Sequence, residues 1–262
     1  MTKIARYEIN GTIHYGHLED AALRRMKGEL FDALTPTGDV DDLSNVRLLS
    51  PLSTPRIFGV GANYVAHIAE MNMATPSRPM LFMKPANTVV GPNEPVILPL
   101  EGGVVHYEAE LAVVIGKHAR RVAPEDAADV IFGYTCANDI SERVIQKEEM
   151  DQGCLLIGKG FDTFCPLGPV IATGLDPADL RLEARLNGEA RQSSSTSDLL
   201  FSVPQLVSYL SQAISLQPGD IIITGTPSGV GQIAPGDVME IELEGVGVLR
   251  NPVVAENEAA TG

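Results

Sequence analysis

Tryptophan is absent from this chain, and cysteine occurs only as Cys136, Cys154 and Cys165. Three thiols without a C-x-x-C pair make neither a disulfide framework nor a common zinc site. Basic residues are scarce, with 19 Lys and Arg against 34 Asp and Glu and a formal charge of -15. That excess repels polyanions, so nucleic acid and anionic membrane surfaces are poor partners. Long apolar runs are missing as well. Nothing approaches the ~18 apolar residues of a membrane span, and no apolar N-terminal stretch resembles a signal peptide. The expected compartment is therefore cytoplasmic.

What is present organises into a β-rich chain. At 262 residues it can bury a full core, in one large domain or a small one plus a larger one. Asn10-Gly11 separates two strand-like runs, the pattern of a tight hairpin. Residues 21–34 are ambiguous, because Leu23, Met26, Leu30, Phe31 and Leu34 suit a helix face as well as short strands. Residues 48–55 carry two prolines and read as an extended linker, which places a boundary near Pro51. Beyond it, strands are expected over 56–60, 111–115 and 131–137, with a short helix over 63–71. Residues 76–103 suit loops and edge strands. Helix starts are expected near 124–130 and over 141–149. From 181 to 250 the chain alternates in β fashion, interrupted by an amphipathic helix over 203–214. The small polar residues 256–262 are expected to be frayed.

The chemistry begins with His106-Tyr-Glu108-Ala-Glu110. Strand side chains alternate, so Glu108 and Glu110 leave the same face. Two such charges ~4 Å apart repel by roughly 4 kcal/mol at an effective dielectric of 20. A shared proton or a cation must offset that, and a third carboxylate from Asp139 favours the cation. All three are hard oxygen donors without a His or Cys cluster, which suits Mg²⁺ or Mn²⁺. The plain alternative is a solvated strand face, with Asp139 capping the helix near Ser141.

His67 and Glu70 stand at i, i+3, so a helix would let the carboxylate orient the imidazole as a general base. An ordinary surface ion pair is the competing reading. Arg143 and Gln146 repeat that spacing after Asp139 and suit a substrate carboxylate, or simply solvent. Lys159 lies between two glycines, where it could meet a developing oxyanion. The Gly-rich stretch 218–231 presents Thr226 and backbone N–H groups able to hold an anion. It lacks the Lys-Ser/Thr ending of a Walker loop, so nucleotide binding is not expected.

In this order the motifs resemble the fumarylacetoacetate hydrolase family, in its short acylpyruvase-like branch. The motifs are Gly61-Ala-Asn-Tyr-Val-Ala-His67, Phe82-Met-Lys-Pro85 and Tyr107-Glu-Ala-Glu-Leu111. They continue as Asn138-Asp-Ile-Ser-Glu-Arg143 with Gln146, Lys159-Gly-Phe-Asp-Thr163 and Thr224-Gly-Thr-Pro-Ser-Gly-Val-Gly231. The match runs from Ile57 to Pro252, with a weaker one before it. The resemblance implies a mainly β (α+β) fold: a mixed β-sandwich roll over 52–262 behind a small β-rich N-terminal domain over 1–51. It also implies a homodimer and favours strands over 21–34.

The same resemblance assigns Glu108, Glu110 and Asp139 as ligands of Mg²⁺ or Mn²⁺. His67 and Glu70 become a water-activating dyad on a lid, Lys159 an oxyanion stabiliser, and Arg143, Gln146 and Thr226 contacts to the substrate's carboxylate end. Two departures bear on the substrate: Val144 stands where members often carry an acid, and Ala62 where several carry a longer side chain. The expected reaction is hydrolysis of a C–C bond in an acylpyruvate or 2,4-dioxo acid. Decarboxylation of an oxaloacetate-type acid and isomerisation or decarboxylation of a dienoic diacid are the alternatives on the same site. A non-catalytic oxo-acid-binding protein is the alternative of another class.

Overall fold

Asn10 and Gly11 both take left-handed backbone, with φ of 51° and 75°. Two such residues make the turn whose twist matches a hairpin, and they join the first two strands. The computed structural model describes residues 1–100 and 103–259. The chain is mostly β.

The N-terminal segment comprises β1 (Thr2–Ile9), β2 (Thr12–Glu19), β3 (Ala22–Glu29), β4 (Ala33–Asp42) and β5 (Arg47–Leu49). Residues 21–34 are thus strands, and the helical alternative is wrong. Leu23 and Met26 are both buried although three residues apart. The β3–β4 register shifts between Arg24 and Met26. The extra residues lie in β4, and β3 keeps an unbroken register with β2, so Leu23 and Met26 point to opposite faces, and burial on both faces mimics helical spacing.

Next come β6 (Ile57–Gly61), α1 (Val65–Glu70), β7 (Met80–Lys84), β8 (Val89–Val90), β9 (Val96–Leu98), β10 (Val105–Tyr107) and β11 (Ala109–Ile115). They are followed by β12 (Ile131–Asn138), β13 (Ser141–Glu142), α2 (Arg143–Asp151), α3 (Ile157–Gly160) and β14 (Cys165–Thr173). The last third holds β15 (Arg181–Leu186), β16 (Glu189–Ser195), α4 (Val203–Ala213), β17 (Ile221–Ile223), β18 (Gly231–Gln232), β19 (Val238–Leu243) and β20 (Gly247–Ala255). The helix expected from 141 starts at Arg143, because Glu142 caps it by accepting from the backbone N–H of Val144 and Ile145. Residues 124–129 form a 3₁₀ turn rather than an α-helix. At the C-terminal end 256–259 form a helical turn, α5 (Glu256–Ala259), where fraying was expected; residues 260–262 and 101–102 lie outside the described residues.

The main sheet runs β4-β3-β2-β1-β14-β12-β11-β17-β6-β7, with β5 on β1 and β8 on β14. A second sheet, β16-β15-β19-β20-β9, covers one face of it, and β13-β10-β18 form a small third. β11 is buried along its whole length, as a strand with both faces covered should be. Leu111 and Val113 pack into the core that includes Leu182, Ile241 and Leu249 of the second sheet. Ala112 and Val114 pack oppositely with Ile57, Phe82 and Ile223. No described helix is long and apolar enough to cross a membrane.

Candidate active site

Alternation along β11 extends backwards through Glu110 to Glu108, so both carboxylates leave on the Ala112–Val114 face. The partner strand β12 runs antiparallel, with Asn138 opposite Ala109. Asp139 follows directly, its N–H donating to Glu108 O at 2.8 Å. The pairing of two adjacent strands therefore brings three carboxylates together, and oxygens of all three lie within 4.8 Å of one another. Glu108, Glu110 and Asp139 are 4%, 1% and 0% exposed. A solvated strand face is ruled out, and Asp139 caps no helix.

Cations converge on the same spot. Lys159 Nζ donates to Glu108 Oε2 at 2.8 Å and to Asp139 Oδ2 at 2.5 Å. Arg143 Nη2 lies 2.6 Å from Glu108 Oε1, at an angle that leaves this nitrogen and Nε without a hydrogen-bond acceptor. Lys84 is fully enclosed and donates to Asp139 Oδ1 at 2.6 Å and to Ile140 O at 3.0 Å. Glu110 alone receives no cation, accepting instead from the Gly225 N–H at 2.6 Å.

The electrostatics follow from this division. Burial pushes the Glu108 carboxyl up, but Lys159 and Arg143 more than reverse it and hold it well below the usual carboxylate range. Burial pushes Glu110 up, and the charges of Asp139 and Glu108 push it further, so it ends well above that range. For Lys159 burial acts downwards, yet Asp139 and Glu108 raise it above an ordinary lysine. Two neighbouring carboxylates are thus pushed in opposite directions, because one has cations beside it and the other has none.

His67 and Glu70 come from α1. Its carrier strand β6 ends at Gly61, and Ala62 turns the chain with a left-handed φ of 53°. Asn63 fixes the turn, donating to Thr224 O and Phe201 O and accepting from the Phe201 N–H. His67 Nδ1 stands 2.9 Å from Glu70 Oε2. Glu70 Oε1 also accepts from the Gly229 N–H at 2.9 Å. Two N–H donors of the Gly-rich turn, those of Gly225 and Gly229, therefore go to carboxyl groups of this chain. Thr226 hydroxyl donates to Ala109 O at 2.9 Å and accepts from Gln192 Nε2 at 2.7 Å.

A cavity of about 610 Å³ collects these groups. It is lined by eight of the nine residues singled out in the sequence: His67, Glu108, Glu110, Asp139, Arg143, Gln146, Lys159 and Thr226. Glu70 sits behind His67. Arg143 Nη1 donates to Gln146 Oε1 at 2.8 Å, as their i, i+3 spacing on α2 allows. Sequence reasoning missed the contacts of Lys84 and Gln192. Lys84 had a signal, since alternation along β7 puts it on the same face as Phe82. Gln192 had none, because it sits in a polar run, 189–195.

The family model described as "Fumarylacetoacetate (FAA) hydrolase C-terminal" matches residues 56–254. The chain belongs to the fumarylacetoacetate hydrolase family. A second model, "Rv2993c-like, N-terminal", matches residues 2–51. Among proteins related to this family member, the oxaloacetate tautomerase fahd2 of Xenopus laevis mitochondria is 42% identical over 222 residues, 80% of this chain and 69% of that one. The 2-hydroxyhepta-2,4-diene-1,7-dioate isomerase of Mycobacterium marinum superposes with a TM-score of 0.90 at 38% identity, covering 98% of this chain and 99% of that one. The maleylpyruvate hydrolase of Sphingobium sp. SYK-6, solved with manganese(II) and pyruvate, gives 0.79 at 32% identity over 97% and 99%. These fumarylacetoacetate hydrolase structures share the mainly β fold described above.

The acidic triad fits a hard divalent ion. Ligands of one octahedral centre with bonds of about 2.1 Å lie at most about 4.2 Å apart, so three oxygens within 4.8 Å of one another need only a small closure to share one ion. Glu110 supplies the second argument: a buried carboxylate without a cation is the group a metal ion would satisfy.

Proposed function

We propose that this protein is a Mg²⁺- or Mn²⁺-dependent hydrolase that cleaves the C–C bond of an acylpyruvate or 2,4-dioxo acid. The observation that carries the reading is the charge balance of the cavity beside an intact His67–Glu70 pair. Three carboxylates, Glu108, Glu110 and Asp139, are matched by Lys84, Lys159 and Arg143. A divalent ion adds two positive charges, which a 2-oxo acid carboxylate and a developing enolate would cancel. When bound, the ion supplies Lewis acidity towards the 2-oxo group.

The residues of the chain do the rest. With Glu70 accepting the Nδ1 proton, His67 Nε2 carries a lone pair and takes a proton from water. The resulting hydroxide adds to the C4 carbonyl, the C3–C4 bond breaks, and its electron pair passes into the pyruvate enolate. The proton held by His67 passes to C3, which restores the imidazole, so one water is consumed and an acid and pyruvate are released. Lys159 holds a positive charge beside the developing enolate oxygen, and Arg143 with Gln146 binds the carboxylate. The Mn²⁺–pyruvate complex of the maleylpyruvate hydrolase supports this reading by similarity.

Keto–enol tautomerisation of oxaloacetate is the second reading, favoured by the 42% identity to the Xenopus tautomerase. It needs proton transfer alone. The test assays His67→Ala and wild type on acetylpyruvate and on enol-oxaloacetate with Mg²⁺ or Mn²⁺. Hydrolysis is expected to fall by about 10²–10⁴ in the variant. Unchanged hydrolysis would remove the dyad from the mechanism, and full turnover in excess chelator would remove the metal. Fast tautomerisation by wild type without measurable hydrolysis would establish the second reading.

A further inference from the structure

His106 stands on β10 two residues before Glu108, and it lines the cavity together with Glu108 and Glu110. Its backbone is fixed from both sides, paired with Ser141 of β13 and Gln232 of β18. Its ring makes no hydrogen bond to any described residue, and Nδ1 is buried without a partner. Five buried side-chain atoms are left unsatisfied among the described residues, and three of them are His106 Nδ1, Arg143 Nε and Arg143 Nη2. All three belong to this wall. Arg143 Nη2 already faces Glu108 Oε1 at 2.6 Å, whereas the His106 ring has no partner among the described residues, and a polar ring at a cavity wall without a partner calls for one. The other buried imidazole in the cavity, His67, already has Glu70.

We propose that His106 is a substrate-binding residue that hydrogen-bonds an oxygen on the distal arm of the substrate. The assignment rests on the 2-oxo acid reading above and deepens it, because it selects substrates whose distal arm carries a carbonyl or carboxylate. Two residues along a strand span about 6.7 Å, the reach of roughly five C–C bonds of ~1.5 Å each. A 2-oxo acid held at the carboxylate triad therefore places a group on its fifth or sixth carbon beside the imidazole. Short acids such as oxalate end before it.

The test uses the full-length protein loaded with Mn²⁺ and calorimetric binding of three non-cleavable probes. Oxalate has no distal arm, 2-oxohexanoate has an arm without oxygen, and 2-oxoadipate has an arm ending in carboxylate. His106→Phe keeps the ring shape without a hydrogen bond, and His106→Gln keeps a hydrogen-bonding amide. The Phe variant is expected to lose about tenfold in affinity for 2-oxoadipate, with less than about twofold change for the other two probes. The Gln variant should recover most of the loss. Equal losses for all three probes, or none for any, overturn the assignment alone. Wild-type protein that binds none of them with the ion present overturns the 2-oxo acid reading and this assignment together.

Discussion

Glu110 is the carboxylate of the triad without a cation, and its environment makes a sign-definite prediction. Its folded pKa lies well above the ordinary 4.5, through burial first and then Asp139 and Glu108. An acid with a raised folded pKa binds more protons folded than unfolded. Metal-free protein therefore loses stability as pH rises from about 4.5 through the folded value, the reverse of the usual paired carboxylate. Glu110→Gln removes that loss and keeps an oxygen to accept the Gly225 N–H. In excess chelator at pH 8 the variant should melt about 2–6 °C above wild type, given roughly 2–4 °C per kcal/mol at this size. The gap should shrink towards pH 5, and Mn²⁺ should raise the wild-type Tm and not the variant's. A variant less stable at pH 8 would contradict the account. At this scale most of the site was legible, because alternation alone puts Glu108 and Glu110 on one face. Burial was not legible: a strand end reads the same wet or dry until Lys84, Lys159 and Arg143 arrive from elsewhere in the fold.

The elements that deliver those cations are short, and their packing is what positions the chemistry. α3 has four residues, too few to hold itself. It is held by Glu149 of α2, whose carboxylate accepts from the N–H groups of Leu156, Ile157 and Gly158 at 3.0, 2.6 and 3.0 Å. Gly158 lets the two helices touch, since a Cβ there would lie 2.6 Å from the backbone N of Gln146. Gly158→Ala must push α3 away from α2 and carry Lys159 with it. We expect kcat to fall by at least about tenfold, from a displacement of order 1 Å, with a stability cost of about 1–3 kcal/mol. Steady-state kinetics and a thermal melt on one sample check both. Wild-type kcat in a well-folded variant would show that Lys159 does not depend on this contact. Strong strands such as β11 were legible from their apolar runs. The glycine setting of Lys159 was visible, but not the helix that carries it or the partner that holds that helix. Residues 21–34 show the converse limit, where a strand buried on both faces at Leu23 and Met26 took the apolar spacing of a helix.

At the scale of the whole molecule, the proline-rich break near Pro51 coincides with the gap between the two family matches, 2–51 and 56–254. It is not a gap in the sheet. β1 pairs along β14, with Thr2, Lys3 and Ile4 opposite Thr173, Ala172 and Ile171. Ile4 shares a cluster with Cys165, Leu167 and Ile171, while Ala5, Tyr7 and Leu23 join the large core. Tyr7 also donates to Asp41 at 2.6 Å, and Asp41 is held by Arg25 at 2.8 Å. Burial and the Asp41 carboxylate push the Tyr7 hydroxyl up to about 12, so this network stays a neutral donor on a charged pair at working pH. Removing residues 1–51 would leave the Ile171–Thr173 edge of β14 unpaired and strip apolar cover from both cores. An exposed apolar edge next to a central strand invites intermolecular pairing. A chain comprising residues 52–262 should therefore precipitate on expression or melt at least about 10 °C below the full chain, since several kcal/mol of burial are lost. Soluble yield and a melt with Mn²⁺ present test this directly. A soluble fragment with a cooperative transition near that of the full chain would make the first fifty residues a separable appendage, and the cavity would then owe its rigidity to residues 52–262 alone.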